Sequence, residues 1–157
     1  MGENVGEYEP KILAFVCNWC SLGGCDAAGL ARLSQPTNVR IIRVMCSGRI
    51  DPAFVFRAFS KGIDGVLVTG CHPNDCHYLT GNFKTEKRYE YLETLLQDIG
   101  LEPERLRLEW VSASEGNKWA ETVNDFVAAV KRVGKSPFKL FLEQQETKAL
   151  AVTEIQE

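Results

Sequence analysis

A fourfold alternation of short apolar runs with helical segments is the feature that most constrains the fold of this chain. The runs are Lys11–Val16, Val39–Met45, Gly65–Thr69 and Leu106–Val111. Strands that alternate with helices form a parallel sheet through right-handed crossovers. The first and third runs are almost continuously apolar, which is typical of strands covered on both faces. We therefore predict a three-layer α/β fold with a parallel sheet of about four strands in the flavodoxin-like order 2-1-3-4.

Capping residues and helical periodicity predict four helices between and after these strands. They span Asp26–Leu33, Asp51–Phe59, Glu86–Ile99 and Glu115–Val133. Asp51 and Pro52 are a good N-cap and first-turn pair, and Ser114 is expected to cap the last helix. That helix carries a predicted buried stripe of Trp119, Val123, Phe126, Val127 and Val130.

The chain length favours one domain, because 157 residues is close to the usual size of a single core. We predict a polar lead-in over residues 1–10, one α/β domain over residues 11–135 and a C-terminal tail over residues 136–157. The tail contains apolar residues without a further strand to cover them. It is expected either to fold back as a helix or to dock on a partner subunit.

Composition excludes several classes of function. The net charge of −3 and the sequence pI of about 5.5 argue against nucleic-acid binding. No apolar run approaches the length of roughly 18–20 residues that a membrane span needs. The polar N-terminus does not resemble a signal peptide, so we expect a cytoplasmic protein. Thiols normally stay reduced in the cytoplasm, and the six cysteines therefore need an explanation other than disulfide bonds.

Five of the six cysteines are expected to meet at one edge of the sheet. Cys17, Cys46 and Cys71 each lie at the end of a predicted strand, and Cys20 and Cys76 follow in the same loops. In a parallel sheet, ligands bind beyond the carboxyl ends of the strands. Such a set of thiols at that edge predicts a functional site.

Three interpretations of these thiols remain open from the residues alone. An iron–sulfur cluster needs four thiolate ligands. A structural zinc ion would use the Cys17–Cys20 pair with further cysteines or with His72 and His77, although zinc ribbons pair two such knuckles and only one is present. A thioredoxin-like redox pair of Cys17 and Cys20 would leave the other three thiols unexplained.

The surrounding residues favour the cluster. Glycines that permit close backbone approach lie in the same loops, at positions 23, 24, 48, 70 and 81. Arg43 and Arg49 flank Cys46 and could offset the negative charge of a thiolate-ligated cluster. Trp19 lies between two thiols and could exclude water. No general acid, general base or substrate pocket is recognisable, so no turnover is expected from the isolated chain.

Four sequence blocks resemble the delta subunit of methyl-viologen-reducing (F420-non-reducing) hydrogenase, an iron–sulfur protein of methanogenic archaea. The blocks are FVCNWCSLGGCDAAG (15–29), IRVMCSGRIDP (42–52), GCHPNDCHYLTGN (70–82) and VSASEG (111–116). The resemblance covers about residues 9–135. It implies a 2Fe-2S cluster and a role as electron relay. The donor would be a hydrogenase small subunit or a formate dehydrogenase, and the acceptor would be the flavin-containing A subunit of heterodisulfide reductase.

The resemblance also assigns the candidate ligands. The family's cysteines correspond to Cys17, Cys20, Cys46, Cys71 and Cys76. One of these five thiols is spare, since a cluster takes four. The sixth, Cys25, lies where the family usually has a small residue and is interpreted as an additional buried thiol.

Overall fold

The computed structural model describes the backbone of residues 8–154 and the side chains of residues 8–149. The strands are β1 (Ile12–Cys17), β2 (Val39–Val44), β3 (Gly65–Gly70) and β4 (Leu106–Trp110). The α-helices in this part of the chain are α1 (Ser21–Leu30), α2 (Pro52–Ser60), α3 (Gly81–Asp98), α4 (Gly116–Val133) and α5 (Pro137–Glu154). Two short 3-10 helices precede α2 and β4, at Ser47–Arg49 and Pro103–Arg105.

The four strands form one parallel sheet in the order β2-β1-β3-β4, so the predicted fold and strand order are confirmed. β1 and β3 lie at the centre, where Phe15 pairs with Ile42 on one side and Val68 on the other. Their nearly continuous apolar sequences follow from this position, because helices cover both faces. β2 and β4 are the edge strands.

Two apolar layers hold the helices to the sheet. On one face α1 and α4 pack over β1 and β3, and the predicted stripe of α4 is buried there from Trp119 to Val130. On the other face α2 and α3 pack over Phe15, Val66 and Val68. Burying each large apolar side chain contributes roughly 1.5–3 kcal/mol relative to leaving it exposed.

The predicted starts of two helices were wrong. α1 begins at Ser21 rather than Asp26, and its two adjacent glycines are tolerated because the helix packs against the loop after β4. A Cβ on Gly24 would lie 2.7 Å from the carbonyl oxygen of Ser112. α3 begins at Gly81 rather than Glu86. These early starts bring both helices directly to the cysteine-bearing edge of the sheet.

A buried polar network closes the opposite edge of the sheet around Asp64, which is fully buried. The Asp64 carboxylate accepts hydrogen bonds from the backbone N–H of Lys11 at 2.9 Å and of Ser136 at 3.0 Å. It also accepts from Lys139 Nζ at 2.7 Å. Arg105, 1% exposed, donates to the carbonyl oxygens of Asp64 and Gly134. The network therefore joins the start of β1 to the junction between α4 and α5.

The C-terminal tail forms α5, whose first turn is tied to the domain. Phe138 packs against the apolar layer under α2, and Lys139 reaches Asp64. Leu140 and Phe141 are 44% and 57% exposed. Docking of this helix on a partner remains a prediction. No helix among the described residues is long and apolar enough to cross a membrane.

Candidate metal centre

The structure brings the five predicted thiols together at the carboxyl edge of the central strands. Cys17 is the last residue of β1, and Cys71 directly follows β3. Cys20 immediately precedes α1, while Cys46 and Cys76 lie in the loops after β2 and β3. All six cysteines of the chain are free thiols.

Four of these thiols form two pairs. The sulfurs of Cys17 and Cys71 are 3.7 Å apart, and those of Cys46 and Cys76 are 3.9 Å apart. Two thiolates bound to one tetrahedral metal at about 2.3 Å lie about 3.8 Å from each other. The spacing within each pair therefore suits two ligands of the same metal ion.

The fifth thiol, Cys20, lies closer to its nearest sulfur than the paired thiols lie to each other. Its sulfur is only 2.7 Å from that of Cys71, to which it donates a hydrogen bond. This separation is too short for two thiolates on one metal at ordinary bond lengths. Cys20 is also more exposed than the four paired thiols, which are all buried.

Burial dominates the acid–base properties of most of these thiols. It raises the pKa of Cys71, and hydrogen bonding with Cys20 adds to this effect. Burial likewise raises the pKa of Cys46, and the charges of Cys76 and Cys17 contribute in the same direction. Cys76 differs, because backbone N–H groups of the following loop outweigh burial and lower its pKa. Those amides come from Tyr78, Asn82 and Gly81.

The thiols do not surround a single point. Within the described part of the chain, no three or more His, Cys, Asp or Glu side chains form a site for one metal ion. Two separate pairs suit a centre with two metal ions, in which each ion takes two protein thiolates.

The backbone at the start of α3 lies very close to the sulfurs of Cys46 and Cys76. Gly81, the first residue of α3, lies against both sulfurs, and a Cβ there would be 3.0 Å from Cys76 Sγ and would overlap Cys46 Sγ. A Cβ on Gly48 would lie 2.9 Å from the Cα of Gly81. Two of the glycines singled out in the sequence therefore allow the start of α3 to approach these thiols closely.

Asn82 holds the loop that carries Cys71, a role that was not predicted from the sequence. Its buried amide donates to the carbonyl oxygens of Cys71, at 3.3 Å, and His72, at 2.7 Å. In the sequence, this role of Asn82 is indicated only by its position directly after Gly81, at the beginning of a helix.

Three aromatic side chains in the loops that carry Cys20 and Cys76 contact one another and form a surface cluster, the aromatic cap. It consists of Trp19, His77 and Tyr78. Trp19 and His77 stack with ring centroids 3.8 Å apart, and Trp19 Nε1 donates to the Tyr78 hydroxyl at 3.2 Å. The cap links the loop after β1 to the loop after β3. Exclusion of water by Trp19 remains a prediction.

The imidazole of His72, which the zinc interpretation considered as a ligand, pairs with the carboxylate of Glu115. Its Nε2 lies 2.6 Å from a Glu115 carboxylate oxygen, which also accepts the Ser112 backbone N–H at 2.7 Å. Sequence reasoning missed Glu115 because its partner His72 lies in a distant loop. Ser114 does not cap α4, and its hydroxyl instead contacts that of Ser112.

The Glu115 pair predicts a specific dependence of stability on pH. The Ser112 N–H and His72 lower the pKa of Glu115 to about 2, well below its ordinary range. A carboxylate with a depressed folded-state pKa stabilises the protein above its unfolded-state pKa, and this contribution disappears as the pH falls to about 2. We expect Glu115→Gln to lower the free energy of unfolding at neutral pH. Its deficit relative to wild type should shrink in acid, as measured by urea unfolding.

Glu121→Gln is the matched control, because Glu121 is an exposed carboxylate on the same helix. This variant should follow the wild-type pH dependence. A Glu115→Gln deficit that stays constant from neutral to acid pH would contradict the role of the carboxylate charge.

A groove of about 600 Å³ opens beside Cys46. Apolar side chains of Met45, Phe54 and Tyr78 line it, and the exposed cations Arg49 and Lys84 lie at its sides. Arg43 is exposed on β2. Cys25 lies apart from the rim, half-buried against the core under α1.

The fold and the site define a cysteine-rich parallel α/β domain with a thiol site at the carboxyl edge of its central strands. The family model for "Methyl-viologen-reducing hydrogenase, delta subunit" matches residues 12–134. The chain belongs to this family, and the resemblance noted in the sequence is confirmed.

The names of similar proteins agree with this family assignment. The vhc iron-sulfur subunit of F420-non-reducing hydrogenase from Methanococcus voltae is 50% identical over 139 residues, which cover 88% of this chain and 94% of the relative. The corresponding iron-sulfur subunit of F420-non-reducing hydrogenase from Archaeoglobus profundus is 49% identical over 133 residues, covering 85% and 96%.

A third relative contains this domain within a much longer chain. It is the A subunit of the ferredoxin/F420H2-dependent CoB-CoM heterodisulfide reductase of Methanosarcina acetivorans, and it is 48% identical over 125 residues. The match covers 80% of this chain and 16% of that relative.

Proposed function

We propose that this chain is a 2Fe-2S electron-transfer subunit that relays electrons from a hydrogenase or a formate dehydrogenase to the flavin-containing A subunit of heterodisulfide reductase in methanogenesis. The observation that carries the proposal is the presence of two buried thiol pairs, with sulfurs 3.7 and 3.9 Å apart, at the carboxyl edge of the sheet. The names of the relatives, which describe iron–sulfur subunits, support the choice of metal.

The ligand set follows from the sulfur spacing. Cys17 and Cys71 would hold one iron, and Cys46 and Cys76 would hold the other. Cys20 would then be the spare thiol, close enough to donate a hydrogen bond to Cys71. When bound, such a cluster accepts and donates single electrons.

The surrounding residues of this chain would set the properties of the site. The backbone N–H groups of Tyr78, Asn82 and Gly81 favour a thiolate at Cys76. The aromatic cap lies directly beside Cys20 and Cys76 in the chain and would limit the contact of a bound cluster with bulk water. Hydrogen bonds to the sulfurs and exposure to solvent are two of the factors that tune the potential of iron–sulfur centres.

Two features support the proposed partners. The homologous segment in the Methanosarcina acetivorans relative belongs to the same polypeptide as the rest of that A subunit, which favours contact between this domain and such a protein. The groove beside Cys46 combines apolar side chains with Arg49 and Lys84, which suits an acidic partner surface next to the thiols. A cytoplasmic location fits these partners and the reduced state of the thiols.

Serine substitution of the cysteines, one at a time, tests the cluster and its ligands. We expect about two irons and two acid-labile sulfides in anaerobically purified wild type. Cys17→Ser, Cys46→Ser, Cys71→Ser and Cys76→Ser should each lose most of the iron and the electron paramagnetic resonance signal of the reduced cluster. Cys20→Ser should retain iron, and Cys25→Ser is the matched control.

The relay itself is tested by mixing each variant with a donor hydrogenase and the heterodisulfide reductase A subunit and following reduction of the flavin. Variants without the cluster should stop flavin reduction, whereas Cys25→Ser should support it. Stoichiometric zinc without iron in the wild type would contradict the proposal and favour the alternative of a structural zinc ion, in which the chain is a zinc-stabilised adaptor or binding module. Loss of iron in Cys20→Ser would contradict the ligand set.

A further inference from the structure

Cys20 is placed to react with a ligand of the proposed centre. Its sulfur lies 2.7 Å from that of Cys71, closer than the sulfurs within either of the two thiol pairs. The two residues come from different loops, Cys20 from the start of α1 and Cys71 from the end of β3. Bond formation between them therefore requires little movement of either loop.

Cys20 and Cys71 differ in their exposure to solvent, and this difference assigns them different roles in an oxidation reaction. Cys71 is 2% exposed, whereas Cys20 is partly exposed at the rim next to Trp19. An oxidant from solvent would therefore reach Cys20 first. Cys71 would then act as the second, resolving thiol, because its sulfur lies 2.7 Å from that of Cys20.

We propose that Cys20 and Cys71 form a reversible disulfide when the chain holds no cluster, with a small-molecule disulfide as the oxidant. The inference rests on the proposed function in one respect, namely that Cys71 is a cluster ligand. The disulfide removes Cys71 from the ligand set, so the cluster assembles only after reduction.

The reaction balances as two thiol–disulfide exchanges. The Cys20 thiolate attacks one sulfur of the small disulfide, forms a mixed disulfide and releases the first small thiol. The Cys71 thiolate then attacks the Cys20 sulfur, which breaks the mixed disulfide and releases the second small thiol. The two cysteines lose two electrons and two protons in total, and the small disulfide gains them.

Peptide mapping of the full-length apoprotein tests this inference. Reduced, iron-free wild type is treated with glutathione disulfide under nitrogen, alkylated, digested and analysed by mass spectrometry. We expect a cross-linked peptide that joins Cys20 to Cys71. Cys25→Ser should give the same cross-link, and Cys20→Ser should give none to Cys71.

Cluster reconstitution with iron and sulfide supplies the second readout. The oxidised wild type should take up no more iron than Cys71→Ser, and treatment with a thiol reductant should restore uptake. Iron uptake by Cys20→Ser should be insensitive to glutathione disulfide.

The outcomes separate this inference from the proposed function. A dominant link between other cysteines, or no link, overturns the inference, as does normal iron uptake by the cross-linked protein. Failure of the reduced wild type to take up any iron overturns the proposed function, whereas the peptide map reports on the disulfide independently.

Discussion

Gly81→Ala is expected to weaken binding of the proposed cluster while leaving the domain folded. The added Cβ would lie 3.0 Å from Cys76 Sγ and overlap Cys46 Sγ, so one of the proposed iron-binding pairs would be displaced. Both sulfurs are buried, and the backbone N of Gly48 also lies 3.8 Å from the added Cβ, so the methyl group has little open space. We expect iron retention to weaken by about 10–100-fold, in line with other losses of support around metal ligands.

Iron and sulfide analysis and thermal unfolding distinguish this effect from general destabilisation. Overpacking by one methyl group typically costs about 1–3 kcal/mol, which the domain should tolerate. Gly29→Ala is the matched control, because a Cβ at that helical position meets no atom within 4 Å. It should stabilise the protein by up to about 1 kcal/mol and keep the iron. Full iron content in Gly81→Ala would show that iron binding by Cys46 and Cys76 tolerates a methyl group at residue 81.

Asp64→Ala should cause the largest loss of stability. The substitution leaves the ammonium group of Lys139 buried without its carboxylate and removes the acceptor for the backbone N–H groups of Lys11 and Ser136. Breaking one side of a buried ion pair costs about 3–5 kcal/mol. We expect the urea midpoint to fall by more than about 1 M.

Glu143→Gln provides the comparison, since it breaks the exposed ion pair between Glu143 and Lys135. Exposed pairs contribute about 0–1 kcal/mol, so this variant should unfold close to wild type. Equal midpoints for the two variants would mean that the network around Asp64 does not hold the edge of the sheet together.

The sheet was predictable because its signal is local and repeated. The continuous apolar runs around Phe15 and Val68 identify the central strands. The strand order was predicted only by analogy with flavodoxin-like sheets. The starts of α1 and α3 were not predictable, because glycines at positions 24 and 81 ordinarily disfavour helix. Here they are used for close approach to neighbouring loops, and that requirement is visible only in three dimensions.

The candidate site was likewise predictable in some respects and not in others. The positions of five cysteines relative to the strands placed them at one edge without any knowledge of distances. Their division into two pairs and a fifth thiol depends on loop conformations that spacing does not encode. Contacts such as Glu115 with His72 join residues 43 positions apart, and neither residue type identifies its partner from sequence.

The network at the edge opposite the thiols also determines how this domain can be attached to other proteins. The Tyr8 hydroxyl donates to the carbonyl oxygen of Gly134, so the chain enters β1 and leaves α4 at nearly the same place. A tether at either point would leave the thiol-bearing edge uncovered, because that edge lies at the opposite end of the strands. This arrangement is compatible with the two contexts in which homologous segments occur, as a separate subunit and within a longer polypeptide.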